Sequence, residues 1–129
     1  MGLVTCNYTG GSSSGPDKET LTFSSGQRNT EVGESDIVVM DRVIEVNSWS
    51  LSAAVAPDTG SETVILKHVD PVTPTVTTLG TAILAQNDQI STGGFVGGPF
   101  IIPAGHGLQA EITQVNGSKQ LSLMIHYTD

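Results

Sequence analysis

The chain has 129 residues, a mass of 13.4 kDa, one cysteine and a formal net charge of −8 at pH 7. This length suits a single domain that buries a core without disulfides, and one cysteine excludes an internal disulfide and every multi-cysteine metal framework. Five basic residues against thirteen acidic ones argue against binding nucleic acid or anionic membranes, and no apolar stretch reaches the roughly 18 residues of a membrane-spanning helix.

Composition predicts an all-β fold. Valine, isoleucine and threonine are frequent, and such β-branched residues pack well on pleated sheets, whereas the abundant glycine and serine favour turns. No window carries a sustained helical spacing of apolar residues. We expect a jelly-roll-like antiparallel β-sandwich. An immunoglobulin-type sandwich is the alternative, although its Cys…Trp…Cys framework is missing.

Residues 1–35 differ in composition from the rest of the chain. Residues 10–16 are a low-complexity stretch of glycine and serine that ends in proline, which is typical of a flexible segment. We predict that residues 1–35 form an N-terminal arm or an edge hairpin, laid on the body or on a neighbouring subunit, and that residues 36–129 form the sandwich domain. Leu21 and Phe23 share one face of a short predicted strand, so we expect them to contact sister subunits or a larger shell.

Residues 42–55 predict one long strand whose apolar side changes partway along. The apolar residues before and after the Asn47-Ser48 pair alternate with opposite parity. A bulge near Asn47 and Ser48 would bring both sets to the core side. With this alternation Trp49 faces the core. We favour this buried position over an exposed one in which the ring would stack on a sugar.

The remaining chain predicts short strands separated by turns. The strands are expected at residues 62–69, 75–79, 82–84, 108–113 and 120–127. Residues 93–100 form a glycine-rich loop with Phe95 and Phe100, which we expect to fold back over the sandwich as a lid; the alternative is that they anchor a partner. Residues 115–118 contain Asn-Gly and predict a hairpin turn.

Candidate catalytic and metal-binding residues are few. The spacing of His68, His106 and His126 resembles no metal-ligand motif, so we expect neither a metal nor a cofactor. Cys6 would be a nucleophile only beside a histidine, and we expect it to be a small buried hydrophobe instead. We therefore predict no catalytic residues and no enzymatic activity.

Three segments carry a resemblance to a known class of protein. Residues 101–112 and 121–127 resemble the end of small β-sandwich structural proteins of tailed bacteriophages, in which a Pro-Ala-Gly turn precedes the penultimate strand. Residues 48–60 resemble the early strand and turn of the same modules, so the resemblance covers roughly residues 40–127. It implies a capsid decoration (cement) protein or a related head or tail component, usually a jelly roll that assembles as a trimer.

These observations lead to one expectation and two alternatives. We expect a virion protein that forms a homotrimer and binds the outside of an assembled phage head, stabilising it. The first residues show no signal-peptide pattern, so we expect synthesis in the host cytoplasm. The first alternative is a receptor- or carbohydrate-binding module of a phage tail or fibre, which would expose an aromatic or acid-lined groove. The second alternative is an enzyme, which would need Cys6 or a serine near a histidine and an acid.

Overall fold

The computed structural model describes residues 5–9, 18–26 and 29–129, and within them the chain forms eleven strands and no α-helix. The strands are β1 (Thr5–Thr9), β2 (Lys18–Ser24), β3 (Gly33–Glu34), β4 (Val38–Val39), β5 (Ile44–Val55), β6 (Glu62–Asp70), β7 (Thr75–Leu84), β8 (Ile90–Gly94), β9 (Phe100–Ile102), β10 (Gly107–Gln114) and β11 (Lys119–Thr128). The predicted flexible stretch, residues 10–16, and the side chain of Cys6 lie outside the described part. No helix capable of spanning a membrane occurs among the described residues.

The described strands form two antiparallel sheets. The six-stranded sheet has the order β1-β2-β11-β5-β8, with β9 also paired to β5. The five-stranded sheet has the order β3-β10-β6-β7, with β4 also paired to β10. Beyond β2, the chain crosses repeatedly from one sheet to the other, as jelly rolls do. The predicted all-β sandwich is confirmed.

The core lies between the two sheets and is built from their inward-facing apolar residues. On β11 these are Leu121, Leu123, Ile125 and Tyr127, each at most 1% exposed. Alternation along a strand sends their neighbours to the outer face, where residues of β11 are only partly buried. The predicted burial of Trp49 is confirmed, since this side chain belongs to the core.

The predicted bulge in the long strand is confirmed. His126 of β11 pairs with Ser48 of β5, but the next residue, Tyr127, pairs with Val46. Asn47 is therefore the extra residue on β5. Ile44 and Val46 before the bulge are buried, as are Trp49, Leu51 and Ala53 after it, so the change of parity brings both sets to the core side. Val55, at the end of the strand, is exposed.

The predicted hairpin at residues 115–118 is wrong. β10 belongs to the five-stranded sheet and β11 to the six-stranded sheet, so the turn between them carries the chain across the sandwich. Gly117 has φ of 92°, which suits the predicted Asn-Gly turn chemistry. The local turn signal was thus sound, but it does not determine which strands pair.

The expectation that Leu21 and Phe23 contact a sister subunit or a shell is corrected. β1 and β2 form an antiparallel hairpin at the edge of the six-stranded sheet, and β2 pairs on its other side with β11. This pairing directs Leu21 and Phe23 into the core, where both are 0% exposed. β1 and β2 thus take the form of a hairpin laid on the body, whereas β3, also within the first 35 residues, joins the five-stranded sheet.

Candidate functional site

The outer face of the five-stranded sheet carries a row of apolar residues that crosses four strands. Gly107 of β10 pairs with Val39 of β4 and with Val69 of β6, and Val69 pairs with Val76 of β7. Directly paired residues point to the same face of an antiparallel sheet. The row is therefore continuous from β4 at one edge of the sheet to β7 at the other.

Ile37 completes this row over the glycine. A Cβ added at Gly107 would lie 2.4 Å from Cγ2 of Ile37, so this side chain occupies the outward space that glycine leaves open. Ile37, Val39 and Val76 are 48%, 64% and 58% exposed. We call Ile37, Val39, Val69 and Val76 the apolar stripe.

A charged cluster borders the apolar stripe on the same outer face. Lys67 of β6 lies 3.0 Å from Glu34 and 2.6 Å from Glu111, measured from Nζ to the carboxylate oxygens. The hydrogen bond to Glu111 is the main reason that the pKa of Lys67 is raised above its ordinary value. The positive charge of Lys67 is therefore paired with two carboxylates. The side chains of the apolar stripe itself carry no charge.

Two histidines meet on the inner side of the same strands. His68 and His106 immediately precede Val69 and Gly107 in the chain, and their rings stack with centroids 5.1 Å apart. Nε2 of His68 and Nδ1 of His106 share a hydrogen bond of 2.9 Å. The pair therefore joins β6 to the turn before β10 from behind the apolar stripe.

The electrostatic setting of this pair includes one carboxylate. Oδ1 of Asp70 lies 3.8 Å from Nε2 of His106. Burial, and next the proximity of His106, lower the pKa of His68, while Asp70 acts in the opposite direction. The pKa of Asp70 is itself lowered, chiefly because the Val72 amide donates a hydrogen bond to its carboxylate. The surroundings thus keep His68 neutral to a lower pH than an isolated imidazole.

The turn that holds His106 also holds the segment before β5. The Met40 amide donates to the His106 carbonyl, and the Gly105 amide donates to the Met40 carbonyl, each at 2.8 Å. Met40 is buried. The segment that carries Ile37 and Val39 is therefore anchored by the same turn that carries His106.

Comparisons with known proteins leave the family open. No protein-family model matches the sequence, and no curated protein matches it. Among solved structures, PirA is similar with a TM-score of 0.48 and 11% identity, over 83% of this chain and 92% of PirA. A subunit of the disulfide-linked Bacillus endospore appendages is similar with a TM-score of 0.42 and 13% identity, over 87% of this chain and 86% of the subunit.

A protein of prophage origin is also among the similar structures. YomS, derived from the SPBc2 prophage, has a TM-score of 0.38 and 15% identity, over 86% of this chain and 94% of YomS. At identities of 15% or less, none of these similarities assigns a function to this chain.

A cleft of about 500 Å³ opens on the other sheet, beside β11. Its described lining residues are Glu19, Thr20, Asn47, Ser48, His126, Tyr127 and Thr128. Nδ2 of Asn47 donates to Oγ1 of Thr128 at 2.8 Å, and Nε2 of His126 lies 2.8 Å from Oγ of Ser50. The polar side chains along the cleft therefore carry hydroxyl, amide, imidazole and carboxylate groups.

Phe95 and Phe100 take the lid arrangement that the sequence favours. Phe95 is 8% exposed, and the site of a Cβ at Gly80 would lie 2.6 Å from Cδ1 of its ring. Phe100 is partly buried against the core, with its ring centroid 6.2 Å from that of Phe95 in an edge-on contact. Phe95 is thus largely covered by its own chain, and a partner contact at Phe100 stays a prediction.

The apolar stripe and the histidine pair were both missed by sequence reasoning. Their residues are far apart in the chain and meet only through the register of β4, β10, β6 and β7. The available signal was weak: a histidine precedes a small or apolar residue at 68–69 and again at 106–107. Among the described residues, no three His, Cys, Asp or Glu side chains are grouped so as to hold a metal ion.

Proposed function

We propose that this chain is a structural protein of a virion, which works by assembling with copies of itself and by binding an assembled phage head from outside. The observation that carries the proposal is the apolar stripe, an uncharged row open across a whole sheet. The resemblance of residues 40–127 to phage structural modules supports the choice of particle. In this account the chain catalyses no reaction.

The size of the apolar stripe fits a protein interface. Its fractional exposures correspond to on the order of 300 Å² of open apolar surface, which is the size of patches that mark interaction sites on monomers. One side of a standard interface contains roughly 450 Å² of apolar surface. The stripe therefore supplies most of the apolar centre of such an interface.

The apolar stripe is the surface through which a second copy of this acidic chain meets the least charge repulsion. Each copy carries a net charge of −8, so two copies repel each other when charged faces approach. The side chains of the apolar stripe carry no charge, so contact between copies at this surface neither desolvates a charged group nor brings like charges together. A cyclic trimer, as the resemblance implies, would cover the stripe of every copy and close the assembly.

The test is co-sedimentation of the purified chain with empty heads assembled from the major capsid protein of the same genome. We expect the wild-type chain to sediment with the heads and to raise the temperature at which they rupture. Val76→Asp places a charge in the apolar stripe and should lower binding at least tenfold, because trimers bind a shell more tightly than single copies.

Ile83→Asp is the matched control. Ile83 lies on the same strand and is 49% exposed, but it falls outside the stripe. This variant should bind like the wild type. Equal losses for both variants, or no binding by the wild type, would contradict the proposal.

The cleft beside β11 favours a second candidate, a glycan-binding module. Hydroxyl, amide and imidazole groups are the partners that saccharide hydroxyls need, although the buried Trp49 offers no ring for stacking. A glycan array separates the two functions. Specific binding that is lost in Asn47→Ala would support this candidate, and an array without signals would remove it.

A further inference from the structure

The histidine pair lies directly behind the apolar stripe. His68 points to the inner side of β6, opposite Leu108, while the next residue, Val69, points to the outer side. His106 likewise precedes Gly107, the central position of the row. The His106 turn is therefore directly connected to the apolar stripe through Gly107.

Protonation of both rings removes the hydrogen bond between His68 and His106. In the hydrogen bond between two imidazoles, one ring nitrogen donates and the other accepts, so the bond requires at least one neutral ring. When both rings carry a proton on the facing nitrogens, two N–H groups and two positive charges oppose each other within 2.9 Å. The bond then becomes a repulsion.

Charged groups near the pair are few. Asp70 on β6 lies 3.8 Å from His106, and its negative charge acts to raise the pKa of His68. Thr77 of β7 and Leu108 of β10, which pair with His68, are uncharged. On the segment before β5, Asp41 follows Met40, but its carboxylate pairs with Arg42 at 3.2 Å. One carboxylate beside two rings does not neutralise a doubly protonated pair.

We propose that the His68–His106 pair is an acid-sensitive latch, which holds the apolar stripe in register at neutral pH and releases it when both rings are protonated. Release frees the turn from β6 and loosens its two backbone hydrogen bonds to Met40. The segment with Ile37 and Val39 then separates from β10. The effect on assembly rests on the proposed function, whereas the opening itself does not.

The direction of the pH response follows from the position of His68. Its lowered pKa means that a chain with the latch open binds a proton more readily than one with the latch closed. Below about pH 6.5, the ordinary value for histidine, acidification therefore favours the open form. The closed form is fully retained above that value.

The test uses hydrogen exchange of the full chain between pH 7.5 and 4.5, corrected for the intrinsic rate. We expect exchange at residues 37–40 and 105–108 to rise severalfold on acidification, because the open form binds a proton more readily than the closed form. The double variant His68→Gln with His106→Asn keeps a hydrogen-bonding group near each ring nitrogen but cannot titrate. It should show no such rise.

His126→Gln serves as the control, because this third histidine lies on the other sheet and bonds to Ser50. It should respond to pH like the wild type. An equal rise in the wild type and the double variant would overturn the latch, and so would the absence of a rise in the wild type.

Sedimentation of the same samples separates the latch from the proposed function. Loss of assembly at acidic pH in the wild type, but not in the double variant, supports both. Exchange that responds as expected in a chain that is monomeric at every pH supports the latch and contradicts assembly. Assembly that depends on Val76 but not on pH overturns the latch as a regulator and retains the function.

Discussion

Two glycines make room for aromatic rings that pack in the core. A Cβ at Gly93 would lie 2.7 Å from Cζ2 of Trp49, and one at Gly80 would lie 2.6 Å from Cδ1 of Phe95. Carbon atoms in contact are normally about 3.5–4.0 Å apart, so any larger residue must displace these rings. The rings cover the core only because the facing backbone has no side chain.

Gly93→Ala should therefore destabilise the fold by about 1–3 kcal/mol through overpacking against Trp49. Gly94→Ala is the adjacent control, since nothing lies within 4 Å of its Cβ position. It should change the free energy of unfolding by less than about 0.5 kcal/mol. Urea unfolding followed by Trp49 fluorescence measures both, and equal effects would contradict the close packing.

Parity along one strand was enough to place Trp49 in the core and to locate the bulge at Asn47. Such local rules apply because side chains alternate strictly between the faces of a strand. The need for glycine at position 93 was not predictable, because it depends on the register of β5 against β8. The sequence around it indicated only a flexible loop.

The crossing from β10 to β11 depends on a buried carboxylate. Glu62 is 0% exposed and accepts a hydrogen bond from the Asn116 amide, while its Oε2 lies 2.9 Å from Oγ of Ser118. Nδ2 of Asn116 donates to the carbonyl of Ser61, and Thr30 bonds to Ser118 at 2.7 Å. This network connects the start of β6 to the turn that changes sheets.

Glu62→Ala should cost about 3 kcal/mol, because it leaves the backbone amide of Asn116 without its acceptor, removes one of the two partners of the Ser118 hydroxyl and opens a cavity at a buried site. Thr63→Ala is the control: its hydroxyl bonds to Gln114 at the exposed surface, so a change within about 0.5 kcal/mol is expected. Equilibrium unfolding in urea compares the two. A small effect at Glu62 would mean that the network does not fix the crossing.

Element pairing marks the limit of what the sequence predicts. The strand at residues 119–128 and the Asn-Gly turn before it are both apparent from local pattern, yet the turn joins different sheets. Turn residues favour a backbone conformation, whereas pairing is decided by contacts such as that of Glu62, distant in sequence. The inward direction of Leu21 and Phe23 was likewise decided by the pairing of β2 with β11.

At the scale of the whole molecule, the sequence predicted the fold class but not the chemistry of the surface. Composition predicts the all-β sandwich because β-branched residues and turn residues recur along the entire chain. The apolar stripe could not be predicted in this way, since Val39, Val69 and Val76 become neighbours only across four strands. The structure thus supplies a candidate surface for the proposed assembly, which the sequence alone did not identify.

The mass of the protein in solution tests this surface most directly. Sedimentation equilibrium at pH 7.5 should give the mass of an oligomer, with a trimer expected, for the wild type and for Ile83→Asp. Val76→Asp should give the monomer mass of 13.4 kDa and should still unfold cooperatively in urea, as a folded chain does. A wild-type chain that stays monomeric at high concentration, or a Val76→Asp variant that assembles like the wild type, would contradict assembly through the apolar stripe.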